Sequence, residues 1–182
     1  MLENIEFYVL PDGSVNIKKQ GEPVAPYLLE CEDITNEMII LIRDLYPEAY
    51  SKLSEIYSKS EKNHKFFEYR MVNRFIRCNF GECDTLSHDI DEIGQFNFEE
   101  VRCPMRGECP YEGTICKPKL QTRLTKREQE VAELLAAGLH KIKVAERLNI
   151  SVYTVNRHIQ KIKVRMHLSH TYQIISQFNG AK

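Results

Sequence analysis

Five cysteines crowd one stretch of the chain, at Cys78, Cys83, Cys103, Cys109 and Cys116, and of all its side chains these are the best suited to chemistry. Their spacing is C-x4-C, a gap of nineteen residues, then C-x5-C-x6-C. Gly81, Gly107 and Gly113 each stand shortly before a closing cysteine, where a backbone without a Cβ can turn sharply and aim two sulfurs at one centre. Pro104 and Pro110 directly follow cysteines and stiffen the same loops. Thiolates at this density suit a structural metal, and zinc is the ion expected in a four-sulfur tetrahedral cage. Cys103, Cys109 and Cys116 share one compact loop and Cys78 completes the set of four, with Cys83 as the alternate. An iron-sulfur cluster also takes four thiolates and tolerates irregular spacing, so it remains the second choice. Because the C-x2-C spacing of common zinc motifs is absent, unrelated buried thiols are the competing account. His88, Asp89 and Asp91 could stand in as ligands, but an exposed acidic loop explains them more simply. Cys31 lies apart and is expected to be a lone thiol.

A second chemistry lies near the C-terminus. Val155, Ile159, Ile162 and Met166 recur at spacings of four, three and four, which is one face of a helix. The other face shows Tyr153, Asn156, Arg157, Gln160, Lys161 and Lys163. Asn and Gln can pair in two-point fashion with adenine, and Arg with guanine. Ser151 is placed to cap this helix. Ahead of it, Val144, Ala145 and Leu148 form a shorter apolar face, followed by Asn149 as a turn residue. Further upstream, Thr125 and Glu128 have capping-box spacing, so a helix should begin near Lys126, carry Val131, Leu134 and Leu135 inward, and end at Gly138. A short helix, a tight turn and a longer helix with a polar, basic outer face is the pattern of a helix-turn-helix. The plainer account is a helical subdomain whose basic face is only solvated. His158 lies between the two faces and reads as a packing or phosphate-contacting residue.

Residues 124–178 resemble the C-terminal DNA-binding domain of the LuxR/NarL superfamily of transcription regulators, through LTKREQEV, AAGL, VAERLNIS and TVNRHI. The resemblance implies four helices, with the last, around 169–178, serving as a dimerisation surface. It also implies that Asn156, Arg157 and Gln160 lie nearest the bases of double-stranded DNA, with Tyr153, Thr154, Lys161 and Lys163 nearer phosphates. One departure is Lys143, where relatives commonly carry an acid. A weaker likeness to the DNA-binding region of sigma factors keeps a contact with RNA polymerase in view.

Charge supports the same division. Residues 124–182 hold ten Lys and Arg against four Glu, whereas the preceding 123 residues hold fifteen against twenty-two Asp and Glu. Phosphate neutralisation would draw nucleic acid to one end only. No run of apolar residues is long enough for a membrane span, and MLENIEFYVL carries acids rather than a basic leader, so a cytoplasmic protein is expected and a disulfide framework is not. There is no phosphate-cradling glycine loop and no carboxylate pair on which to build hydrolysis, so no enzyme is expected.

The elements ahead of the cysteines read as a hairpin and helices. IEFYVL and SVNIKK flank the turn signal Pro11-Asp12-Gly13, and QGEPVAPY reads as a connection. From Asp33 the sequence turns helical, with Met38, Ile39, Ile42 and Leu45 at helical spacing over 36–46, then after Pro47 Tyr50, Leu53 and Ile56 or Tyr57. A third helix over 63–77 carries Phe66, Phe67, Tyr69, Val72 and Phe75 as a core stripe, with His64 partnerless at the surface. The expected fold class is mainly α. Its parts are an N-terminal β-hairpin and helical region (1–77), a Cys-rich metal-binding module (78–118), a linker (119–123) and a tetrahelical helix-turn-helix domain (124–182).

Overall fold

A computed structural model describes residues 2–81, 87–92, 94–120 and 124–180. The chain divides into two compact units, Met1–Lys119 and Leu120–Lys182.

In the first unit, Ile5–Val9 (β1) pairs antiparallel with Val15–Lys19 (β2). Asp12 makes the turn: its Oδ1 accepts from the Ser14 amide at 2.8 Å and the Ser14 hydroxyl at 2.7 Å, while Gly13 takes φ 84°, which a Cβ would disfavour. The expected connection after β2 instead supplies a third strand, Ala25–Pro26 (β3), antiparallel to β2. It forms the edge, where a proline without an N–H breaks no further ladder. Tyr27, just beyond it, is buried and its hydroxyl meets that of Thr35 at 2.6 Å.

Helix α1 (Glu32–Leu45) starts one residue before the expected Asp33, with Glu32 and Asp33 favoured by the positive end of the helix dipole. Pro47 opens α2 (Pro47–Tyr57) at the turn where its missing N–H has no partner to lose. A 3-10 turn, Ser58–Ser60, leads to α3 (His64–Asn79), capped by the Asn63 side chain accepting from the Phe66 amide at 3.2 Å. Phe67, Val72 and Phe75 of the expected stripe are buried. Phe66 turns outward, and the Arg70 guanidinium lies over both its ring and that of Tyr57, at 5.6 and 4.4 Å. His64 is exposed, but it has a partner after all: its Nε2 is 3.6 Å from a Glu68 carboxylate oxygen one turn on.

The core is aromatic. Phe80 packs on Phe7 and Phe75 at ring separations of 5.6 and 6.4 Å, and Tyr46 stacks on Phe96 at 5.9 Å. Phe80, Ile90, Phe96 and Ile115 all come from the Cys-rich stretch, so 78–118 shares one core with the sheet and helices. Asp89 departs from the exposed acidic loop expected of it. It is buried, its Oδ2 accepts the Phe7 amide at 2.7 Å, and its own amide donates to Glu6 at 3.3 Å. Glu99, whose carboxylate accepts the Gly81 amide at 2.6 Å, joins them, and the three carboxylates offer oxygens within 4.8 Å of one another. These hydrogen bonds tie the segment after α3 to β1.

The second unit consists, among the described residues, of α4 (Lys126–Ala136), α5 (Lys141–Leu148), α6 (Val152–Arg165) and α7 (Thr171–Gly180). Helix α4 packs on α6 and α7, and α5 packs on α6. No helix among the described residues is long and apolar enough to cross a membrane.

Candidate nucleic-acid interface

Four local devices shape the α5–turn–α6 unit. The Thr125 side chain caps α4 by accepting from the Glu128 amide, and Glu128 returns to the Thr125 amide at 2.8 Å, which completes the capping box. Gly138 ends α4 at φ 84°, with Leu139 donating back to the Leu134 carbonyl at 3.1 Å. Asn149 adopts the left-handed conformation at φ 52° and breaks α5, while the Ile150 amide closes onto the Ala145 carbonyl at 3.0 Å. Ser151 then caps α6, its hydroxyl accepting from the Thr154 amide at 3.0 Å.

These turns bury one side of each helix. Val131, Ala132 and Leu135 of α4, Val144 and Ala145 of α5, and Val155, Ile159 and Ile162 of α6 are all buried, with Met166 just past the end of α6. Two polar ties lock the helices together. Arg165, near the end of α6, lies 3.3 Å from the buried Glu128 carboxylate at the start of α4. Arg127 donates to the Leu148 carbonyl at 2.5 Å and so satisfies the C-terminal end of α5. Burial alone would raise the Glu128 carboxyl, but the Thr125 hydrogen bonds, with Arg165 and His158 nearby, outweigh it and hold the group below its ordinary value. His158 is half-buried between the two faces, and its Nδ1 is a buried nitrogen with no hydrogen-bond partner.

The outer side of α6 is open. Tyr153 is 72% exposed, and Asn156, Arg157, Gln160 and Lys161 are also exposed. At 3.6 residues per turn, Tyr153, Arg157, Gln160 and Val164 fall in one outward row, with Asn156 and Lys161 on its flanks. Thr154 is half-buried and its hydroxyl meets that of Ser151 at 2.8 Å, so it serves the cap as well as the surface. Lys163 donates to the Ser169 carbonyl at 3.3 Å, toward the start of α7. Lys143 pairs along its own helix with Glu146 at 2.8 Å, a local i,i+3 contact. On α7, Gln173, Ile174 and Gln177 face inward while Tyr172 and Ser176 face out.

Of the cysteines named from the sequence, Cys83 lies outside the described residues. The other four candidates are half-buried free thiols. The Cys78 thiol hydrogen-bonds that of Cys116, and Cys103 and Cys109 are within electrostatic reach of Cys116. Burial pushes the Cys78 thiol up to about 12, aided by Cys116 and opposed by Arg74. Cys31 is remote from them, beside Tyr27 and Tyr69, with its sulfur 3.8 Å from the Pro26 carbonyl.

Sequence reasoning missed Asn79. Fully buried at the end of α3, its amide nitrogen donates to the Phe75 and Ile115 carbonyls at 3.0 and 2.8 Å, and its oxygen accepts the Lys117 amide at 2.6 Å. It therefore grips both neighbours of Cys116 from the residue next to Cys78. A polar residue inside an apolar helix face was the only available signal.

Residues 122–178 match the family model of bacterial regulatory proteins, luxR family, so the C-terminal part carries a LuxR-type helix-turn-helix domain. No curated protein and no solved structure matches the chain.

Proposed function

We propose that this LuxR-type unit makes the chain a sequence-selective DNA-binding transcription regulator, with α6 entering the major groove. The observation that carries the reading is the α5–turn–α6 geometry, which buries Val155, Ile159 and Ile162 while leaving Tyr153, Asn156, Arg157, Gln160 and Lys161 free for the duplex. Arg157, Asn156 and Gln160 carry the two-point donors and acceptors that distinguish base edges. Tyr153, Thr154, Lys161 and Lys163 stand toward the phosphates, with Lys163 exchanging its Ser169 carbonyl for one. One recognition helix reads few base pairs, so two copies on paired half-sites would supply the missing affinity. The outward side of α7, with Tyr172 and Ser176, is the surface proposed for that pairing.

Selection from a randomised duplex library, followed by anisotropy titrations of the full chain on the winning and a scrambled site, tests the reading. A preferred motif and a steep loss of affinity with salt are expected, because each phosphate contact releases counterions. A second reading, a head that docks on RNA polymerase, is favoured by the exposed apolar side chains Ile142, Val152 and Val164. Weak DNA binding that salt leaves unchanged, together with capture by purified polymerase, would select it.

A further inference from the structure

We propose that Cys78, Cys103, Cys109 and Cys116 form a tetrathiolate site for one zinc ion, which staples the 101–118 loop onto the last turn of α3. The site does not depend on the DNA-binding reading, because all four sulfurs belong to the unit Met1–Lys119.

Contacts that owe nothing to a metal already bring two of the four sulfurs together, and Cys103 and Cys109 lie within electrostatic reach of Cys116. Asn79 holds the Ile115 carbonyl and the Lys117 amide, so Cys116 is set down beside Cys78. Lys117 accepts a left-handed backbone, φ 47°, to make that fit. The rest of the loop is built from tight turns. The Arg106 amide donates to the Cys103 carbonyl at 3.1 Å, the Cys109 amide to the Met105 carbonyl at 2.9 Å, and the Glu112 amide to the Cys109 carbonyl at 3.1 Å. Gly107 and Gly113 supply φ of 85° and 74°, and a Cβ there would meet no neighbour, so it is the backbone conformation that calls for glycine.

What the loop lacks is a core of its own. From 102 to 114 no side chain is buried, and Met105, its one large aliphatic residue, is 51% exposed. Thirteen residues are thus ordered with no buried side chain to offset their conformational entropy. A metal bridging three loop sulfurs to α3 provides the missing stabilisation, as in small domains whose folding energy is metal-binding energy.

Arg74 supplies a second, independent sign. One turn before Cys78 on α3, its guanidinium contacts that thiol and lies within electrostatic reach of Cys109. Its Nε is nevertheless buried without a hydrogen-bond partner. On loading, the hydrated dication sheds water, four S–H protons pass to solvent, and the resulting centre carries a net charge of −2. A buried N–H beside it then gains an anionic sulfur to donate to, and the guanidinium offsets half of that charge.

The test uses the full chain, purified without chelator, with metal read by plasma mass spectrometry. About one zinc per chain is expected. Replacement by Co2+ should give the sulfur-to-metal charge-transfer band and visible d–d bands of a tetrahedral thiolate site. Cys103→Ser and Cys109→Ser remove sulfurs from the part of the loop that buries nothing, so the helical circular dichroism should persist while metal falls below about one fifth of an ion per chain. Cys31→Ser should retain the full complement. A chain that takes up neither Zn2+ nor Co2+, or equal loss of metal in Cys31→Ser, overturns the proposal. Brown protein containing iron and acid-labile sulfide overturns the zinc assignment in favour of a cluster.

Discussion

Glu128→Ala should loosen the C-terminal unit at the joint between its first and third helices. Three contributions are lost. The carboxylate accepts the Thr125 amide at 2.8 Å, and losing one half of a capping box costs about 1 kcal/mol. The pair with Arg165, at 3.3 Å, is half-exposed on the arginine side and is therefore discounted to about 0.5 kcal/mol. Removal of the buried Cγ methylene takes away ~0.8 kcal/mol of apolar burial. The total, roughly 2 kcal/mol, corresponds to about a 30-fold increase in the opening equilibrium. Hydrogen exchange of the full chain, resolved by peptide, should show that increase in α4 and α6, with the helices of the other unit unchanged. Acid provides a second axis. Because the folded Glu128 pKa lies below its ordinary 4.5, its ionic contribution is present above that value and lost as pH falls through the folded pKa. Glu128→Gln, which keeps the shape without the charge, should therefore differ from wild type at neutral pH and converge with it in acid. Equal exchange in α4 at neutral pH, or a gap that widens on acidification, would refute the reasoning.

Arg157→Ala should cost roughly 1–3 kcal/mol on the selected site and relax preference at one position, whereas Lys161→Ala should weaken all sequences alike and lower the salt slope by about 1, both read by anisotropy. Asn149→Val forces a β-branched side chain into the left-handed turn and should destabilise the second unit by about 1–2 kcal/mol, seen as faster exchange in α5 and α6, while Asn149→Gly should be tolerated. Asn79→Ala deletes three hydrogen bonds, two of them buried, and should expose Cys116 to thiol reagents well before Cys31 changes its reactivity. Phe75→Ala removes a fully buried ring from the aromatic core of the first unit, at a cost of about 3–5 kcal/mol in urea unfolding.

The two units differ in how much of them can be read from the chain, and the reason is the range of the interactions. In the second unit three boundaries are set within four residues: the start of α4 by Thr125 and Glu128, the end of α5 by Asn149, the start of α6 by Ser151. Local chemistry of that kind is visible in a linear sequence, and so is the three-four spacing that separates Ile159 from Arg157. The hairpin was legible for the same reason, through Asp12 and Gly13. β3 was not, because two residues carry no period and their pairing is decided by Val15 receiving the Tyr27 amide. The inward turn of Asp89 escaped notice because its partner, the Phe7 amide, lies 82 residues away.

The cysteine region shows the same limit inside one site. Composition alone marks Cys78, Cys83, Cys103, Cys109 and Cys116 as a group, since thiols this dense in Gly/Pro loops are conspicuous whatever their partners. What composition hides is why two of them meet. Cys78 and Cys116 are brought together by Asn79, a residue with no chemistry to advertise, acting across 36 and 38 residues. Two of its three bonds fix the backbone on either side of Cys116 before any ion is present, so in the proposed zinc site the polypeptide itself positions Cys78 and Cys116, and the 102–114 arm would be left for the metal to hold. Metal removal should accordingly raise exchange and proteolysis in that arm first, while α3 and the aromatic core beneath it stay protected. A chelated chain that unravels as a whole would mean that Asn79 is too weak to keep its end of the site in place.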